Sequence, residues 1–332
     1  MRLLAVTNIY PTRQRPALGT FVEQQLTSLS HLGIDVDVLF VDRAHLGMQS
    51  YVGLGRRVRG RVATTRPDLV HIMYGGVMAA VVTRAITDRP MVVSFCGSDL
   101  YGELLSGRLR KMVSRYGVFA SHHAAKRAHG VVVKSKLLQD ELPQTINRSK
   151  VRIIPNGVDL ERFQPLDQGS CRQRLGWDSQ SFHVLFPTNA GDPRKRLFLA
   201  KAAVERLSLD CPVELHELQG VPHHEVGYWL NASDVVLLTS LHEGSPNVIK
   251  EALACNVPIV SVDVGDVSER ISSIQGCYLA GPDPDDLCAK LRRVHSGPRR
   301  VAGRERVQEL SLIRIAQKLE ELYSDILRSR MR

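Results

Sequence analysis

The chain has 332 residues, more than the roughly 250–300 at which one hydrophobic core stops growing, so two domains are expected. With 43% apolar and 23% charged residues it has an ordinary globular composition, which excludes disorder over most of its length. The formal charge of +10 points to an anionic partner: nucleic acid, a membrane surface or a phosphate-bearing small molecule.

The first eleven residues, MRLLAVTNIYP, form a short apolar run that meets polar residues and Pro too soon for a signal peptide and cleavage site. They read as a first buried strand, 2–7. Further strands are expected at 35–41, 68–73, 90–96, 130–134 and 151–154, with helices at 20–32, 76–86 and 103–128. The strands are nearly continuously apolar, as parallel strands covered on both faces are. A βα alternation of this kind predicts a doubly wound sheet.

Pro155-Asn156-Gly157-Val158-Asp159 then supplies strong turn signals, followed by the polar stretch Gln164–Ser179. The domain boundary is expected here, with a first domain at 1–158 and a second at 159–310. The alternation restarts with strands at 183–188, 213–218, 235–240, 258–263 and 277–280. Helices near 196–207, 223–232, 246–255 and 285–295 lie between them. The closing segment 311–332 holds a helix with Leu312, Ile315, Leu319, Leu322 and Ile326 at helical spacing, for which either domain offers a surface. Two such domains in tandem leave a cleft. Parallel sheets bind ligands outside the carboxyl ends of their strands, so chemistry is expected in the loops there.

The loop after strand 235–240 is the most informative. Leu241-His242-Glu243-Gly244 leads into Ser245, expected as helix N-cap, and Pro246, expected as the first helical residue. Amides in the first turn have no intrahelical partner and sit at the positive end of the dipole, where a diphosphate is stabilised. Gly244 lets a ligand approach the backbone closely. Glu243 and Glu251 are carboxylates able to accept paired hydroxyl hydrogen bonds from a sugar diol. On spacing alone, a pair of solvated helix-end charges fits equally well. After strand 183–188, Thr188–Lys195 brings basic side chains toward the same end of the sheet.

Glu243 to Glu251 matches the E-x7-E signature of retaining glycosyltransferase family 4, and the surrounding LHEGSPNVIKEALACNVPIVSVDVGDVSE resembles that family's most typical stretch. Pro155–Asp159 with Phe163 resembles its PNGVD…F element, and Phe95-Cys96-Gly97-Ser98-Asp99 its HGSD element. The resemblance extends over nearly the whole chain. It implies an α/β protein of GT-B fold, two doubly wound Rossmann-like domains facing each other across a cleft, the second binding the donor.

The resemblance also implies site residues. Glu251 would bind the ribose hydroxyls of a nucleotide-sugar donor, and Glu243, a catalytic candidate, would lie beside the donor sugar. Backbone groups of Gly244, Ser245, Pro246, Asn247 and Val248 would contact sugar and diphosphate. Lys195 matches a family Lys that neutralises the diphosphate. Asn189 stands where the family often has Arg, with Arg194 or Arg196 available to compensate. The loop Pro11–Thr20, with Gly19, resembles a glycine loop that closes over the donor phosphates. Cys96 replaces a frequent His, whose role is not transferred. Asp99, the nearest carboxylate, is a second catalytic or acceptor-side candidate, or a helix cap.

The activity implied is retaining transfer of a sugar to a hydroxyl acceptor, in cell-envelope or exopolysaccharide synthesis. A sugar-nucleotide epimerase or phosphorylase on the same fold is the alternative. A basic nucleic-acid-binding protein is a remote one, since aromatics are only 5% and no binding module is recognisable. No cofactor and no metal are expected. Asp35 and Asp37 lie in a strand, Asp283–Asp286 read as helix capping, and His122-His123 and His223-His224 read as surface residues. The six cysteines, with no CxxC pair, read as free thiols of a cytoplasmic protein. No apolar stretch approaches the roughly 18 residues that cross a bilayer. The stretch 104–136 contains no acidic residue and interleaves basic with apolar side chains. It reads either as the solvated face of a packed helix or as a peripheral contact with an anionic membrane, the inner face of the plasma membrane, serving a lipid-linked or glycan acceptor.

Overall fold

The computed structural model describes residues 1–16, 18–104, 107–188 and 191–331. The chain divides into two compact units, Met1–Gly157 with Leu312–Arg332, and Val158–Ser311. In the first unit β1 (Arg2–Thr7), β2 (Asp35–Phe40), β3 (Leu69–Ile72), β4 (Met91–Phe95), β5 (Gly130–Val133) and β6 (Val151–Ile153) form one sheet in the order β2-β1-β3-β4-β5-β6. In the second, β7 (Phe182–Pro187), β8 (Val213–Leu218), β9 (Val235–Leu238), β10 (Ile259–Val262) and β11 (Tyr278–Ala280) are ordered β11-β10-β9-β7-β8. Every pairing is parallel. The central strands are buried along their whole length, the state their continuous apolar runs require.

Both sheets have the same winding. The chain adds one neighbour to the unit's first strand, then crosses back and extends the sheet on that strand's other side. The direction therefore reverses between β1 and β3, and again between β7 and β9. Each reversal opens a crevice at the carboxyl ends of those strands.

Three expectations change. The helix expected at 103–128 is Arg108–Arg127, starting five residues late after Gly107, and a separate short helix, Ser98–Tyr101, ends at Gly102 before it; glycine is a poor helix former at both places. A helix at Leu54–Thr65 has only Leu54, Val58 and Val62 to bury, at four-residue spacing among arginines and glycines, and its pattern is too sparse to read from sequence. The polar stretch 164–179 contains the helix Gln168–Leu175, capped by Asp167 and anchored by the buried Arg172, which pairs with Asp234 at 2.7 Å.

The C-terminal helix Leu312–Met331 belongs to the first unit. It buries Ile315, Leu319, Leu322 and Tyr323. The Tyr323 hydroxyl is 2.6 Å from His71 Nδ1 in β3, and His71 Nε2 is 2.7 Å from Ser94 Oγ in β4. Burial, helped by Lys134, pushes His71 down to about 3, so the ring is neutral, donating to one hydroxyl and accepting from the other. All six cysteines are free thiols.

Candidate functional site

In the second unit the loops leaving β7 and β9 meet at the point where the winding reverses, and they are stitched together. Leu241 N–H donates to the Arg194 carbonyl at 2.8 Å, and Thr239 Oγ1 to the Lys195 carbonyl at 2.7 Å. Arg196 donates back to the carbonyls of Thr239 (2.6 Å) and Ser240 (2.9 Å). That commits Arg196 to holding the loop. Of the two arginines considered from sequence, Arg194 is the one that reaches the site. Asn189 lies outside the described residues.

Glu243 is the hub. Its Oε1 accepts from Lys195 Nζ at 2.7 Å and its Oε2 from Arg194 Nη1 at 2.9 Å, while Arg194 Nη2 also pairs with Asp192 at 2.9 Å. The side chains of Glu243 and Lys195 are each only 12% exposed, so this pair is screened far less than a surface one. Burial alone would raise the Glu243 carboxyl, but Lys195 and Arg194 hold it below its ordinary value. The arrangement fixes two cations between two carboxylates, Glu243 and Asp192, at the carboxyl end of a parallel sheet.

The helix after this loop, Asn247–Ala254, starts one residue later than expected. Pro246, buried, occupies the N-cap position, and no side chain caps the first turn. Ser245 is not the cap because its hydroxyl is used elsewhere. It donates to Asp266 Oδ2 (3.0 Å) and accepts from Lys250 Nζ (3.0 Å). Asp266 also accepts from Arg270 Nε at 3.0 Å. Lys250 is 1% exposed and Asp266 2%, so this is a buried charged network beneath the loop. Sequence reading missed it. A lysine inside an otherwise apolar helical turn was the available signal. Gly265 completes the support: with φ +62° and a Cβ that would lie 2.8 Å from the Gly244 carbonyl, only glycine fits there.

Glu251 lies in the same helix. Its Oε1 is 4.0 Å from His223 Nε2, and both side chains are largely buried. His223 packs against Phe163 and hydrogen-bonds Arg162. His223 is therefore not the surface residue its sequence suggested. The loop after β8 carries it inward, whereas His224 is exposed. Burial pushes the Glu251 carboxyl up to about 7, against the pull of Lys250 and Arg162. Gly244 is buried, and Asn247 and Val248 open the helix half-buried. Ser245, Pro246, Asn247, Val248, Glu243, Glu251, Arg194 and Lys195 thus all belong to one end of the second sheet.

The remaining candidates lie in the first unit, at its own reversal point. Gly19 precedes the helix Thr20–His31 with φ +74°, and a Cβ there would sit 2.6 Å from the Ile9 carbonyl group. Asp99 lines a pocket with Asn8, Tyr74 and Ser98. Its carboxylate accepts from the amides of Gly75 (2.9 Å), Cys96 (3.0 Å) and Gly97 (2.8 Å). These bonds make it a brace for two loops. It caps nothing from the N-cap position, which Gly97 occupies. Burial pushes the Cys96 thiol up to about 12, so it is no base at neutral pH.

Asp37 is engaged by Arg61, and Asp283 caps its helix. Among the described residues, one group has atoms near enough to share a metal ion: His183, Glu214 and His216 on β7 and β8. Its two histidines already share a hydrogen bond of 2.8 Å, and His183 Nε2 is bonded to the Asp178 carbonyl at 2.6 Å. Trp177 stacks on His216, so the cluster is satisfied by its own contacts.

The sequence matches the model of Glycosyltransferase Family 4 over residues 18–162 and that of Glycosyl transferases group 1 over 190–296, roughly three quarters of the chain between them. The chain belongs to glycosyltransferase family 4. It is a glycosyltransferase of GT-B fold. A Bacillus subtilis family relative, the glycosyltransferase TuaC assigned to teichuronic acid biosynthesis, is 27% identical over 88% of this chain and 89% of its own length. D-inositol 3-phosphate glycosyltransferase of Frankia alni is 31% identical over 46% of this chain and 47% of its own. Among solved structures, sucrose-phosphate synthase of Thermosynechococcus elongatus superposes with a TM-score of 0.81 at 16% identity, covering 99% of this chain and 100% of that one. Anabaena HepE, in complex with UDP and glucose, gives 0.72 at 18% identity over 98% and 100%. Among the described residues no helix is long and apolar enough to cross a membrane.

Proposed function

We propose that this glycosyltransferase takes a sugar from a nucleoside-diphosphate sugar and attaches it, with retention at the anomeric carbon, to a hydroxyl of a cell-envelope or exopolysaccharide glycan. The observation that carries the reading is the Glu243 hub. From the loop that leads into the uncapped start of the Asn247–Ala254 helix, it holds Lys195 and Arg194. Two cations and a helix N-terminus suit a diphosphate leaving group, and fixed charge at such a position stabilises the transition state without reorganisation. Glu251 is suited to accept the two ribose hydroxyls. The complex of HepE with UDP and glucose supports the donor class, and the likeness to TuaC supports the envelope setting.

In this reading the protein orients and the leaving phosphate takes the acceptor proton, so no protein nucleophile is required. The charge a metal would supply comes from Lys195, Arg194 and the helix amides. Thermal-shift titration of wild type and Glu251→Ala with UDP-, GDP- and ADP-sugars tests it. One donor should raise the wild-type Tm and leave the variant unmoved. Equal stabilisation of both by that donor overturns the site assignment. Product chromatography with and without acceptor distinguishes transfer from epimerisation.

A further inference from the structure

The helix Arg108–Arg127 is buried only in its second half, through Ala120, Ser121, Ala124 and Ala125. Its first three turns carry Leu109, Met112, Val113, Tyr116 and Phe119, spaced i, i+3, i+4, i+7 and i+10. That is a single apolar stripe, the kind a helix normally turns to a core. Here all five are between 47% and 75% exposed, and Tyr116 and Phe119 stack loosely on each other at 6.5 Å. The stripe is flanked by Arg108, Arg110, Lys111 and Arg115, all exposed and without a hydrogen bond or ion pair among the described residues. Between Glu103 and Asp140 the sequence has no acidic residue.

We propose that the first half of this helix docks on an anionic lipid bilayer, with the stripe entering the headgroup–acyl boundary and the four cations meeting lipid phosphates. Charge selects this occupant. A second copy of the same face would set four unpaired cations against four others, whereas an anionic leaflet complements them. A nucleic acid would satisfy the cations and leave five large apolar side chains in water. Twelve residues of helix span about 18 Å along the surface, enough for shallow in-plane seating without spanning.

The position of the stripe gives it a role. Val113 and Tyr116 also line the pocket formed by Asn8, Tyr74, Ser98 and Asp99. Docking therefore brings the rim of that pocket to the lipid headgroups. This consequence rests on the proposed transfer reaction: the acceptor hydroxyl belongs to an amphiphile, a glycan carried on a lipid, whose head enters the pocket while its tail stays in the bilayer.

Flotation of the full chain with vesicles tests the docking without any nucleotide, so its outcome is independent of the donor assignment. Wild type should float with phosphatidylcholine vesicles containing phosphatidylglycerol at low salt, and stay behind with phosphatidylcholine alone. The triple variant Arg110→Glu, Lys111→Glu, Arg115→Glu should bind at least about 100-fold more weakly. Leu109→Ser, Met112→Ser, Phe119→Ser, all at exposed positions, should lose about 10-fold or more. Far-ultraviolet circular dichroism confirms that each variant is folded. The proposal falls if wild type ignores the anionic vesicles at low salt, or if the serine variant binds them as wild type does. It also falls if light scattering finds a wild-type dimer that the serine variant converts to monomer, because the stripe is then covered by a second copy.

Discussion

The two units share one winding and place very different chemistry at the same topological point. In the second, the loops leaving β7 and β9 bring Lys195 and Arg194 within 2.7 and 2.9 Å of Glu243, and Glu251 and His223 pair on the elements that follow β9 and β8. In the first, the equivalent loops leaving β1 and β3 carry Asn8 and Tyr74. The nearest carboxylate, Asp99, is occupied by backbone amides, and Tyr74 Oη pairs with Ser98 Oγ at 2.6 Å. The winding decides where a ligand can lie, and the loop residues decide what it is. In the proposed reaction the second unit would meet the common demand of a nucleoside diphosphate, to neutralise phosphate and hold a diol, whereas the first unit's pocket, lined by Asn8, Tyr74, Ser98 and Asp99, would meet an acceptor.

That contrast can be broken most sharply at Lys195. Lys195→Ala should lower kcat by about 10²–10³, the cost of losing a fixed charge at a developing anion. Tyr74→Phe, in the other unit, should change the acceptor KM and leave donor binding alone. Initial rates with both substrates varied separate the two, and equal effects on donor and acceptor constants would erase the division of labour.

The next effect is on stability and has a definite sign. Burial raises Glu251 from 4.5 to about 7, so between those values the folded protein holds a proton that the unfolded chain releases. Stability therefore falls as pH rises through this window, and the full cost, up to about 3 kcal/mol, is present above it. Glu251→Gln should raise the Tm of the ligand-free protein at pH 8, have little effect at pH 4, and still abolish donor binding. In wild type, donor affinity should rise with pH through 7, as the carboxylate that accepts the hydroxyls forms. Calorimetry and isothermal titration over this range check both slopes.

A smaller effect should stay in the first unit. Tyr323→Phe leaves one polar atom of the buried His71 unpaired, costing about 1–3 kcal/mol. Denaturant unfolding should show that loss, with donor binding unchanged under native conditions. The smallest expected effect is none: in the proposed reaction Lys195, Arg194 and helix amides would carry the phosphate charge, so dialysis against EDTA should leave the transfer rate intact.

Much of the second unit's site was legible because its chemistry is local in sequence. Glu243, Gly244 and Glu251 fall within nine residues, on a loop and the helix it enters. What escaped was carried by separate elements. The buried Lys250–Ser245–Asp266–Arg270 network spans two loops and the two helices they enter, and it displaced Ser245 from the capping role that its neighbours suggested. His223 looks like half of a surface His-His pair until the loop after β8 turns it against Phe163 and toward Glu251. Arg194 and Arg196 are two residues apart and equally basic. Only the hydrogen bonds show that one serves the loop and the other the site.

By itself the sequence determined the alternation of strands and helices, the parallel sheets and the donor-type motif, because strand burial, helix periodicity and the spacing of Glu243 and Glu251 are written in short stretches of chain. Tertiary structure decided the partners: Glu243 with Lys195 and Arg194, Tyr323 with His71, Asp99 with three backbone amides. It also decided that the apolar stripe of the Arg108–Arg127 helix finds no core. Periodicity says that a helix has an apolar face. Whether anything in the fold covers that face depends on residues far away in the chain, and here none of the described ones does.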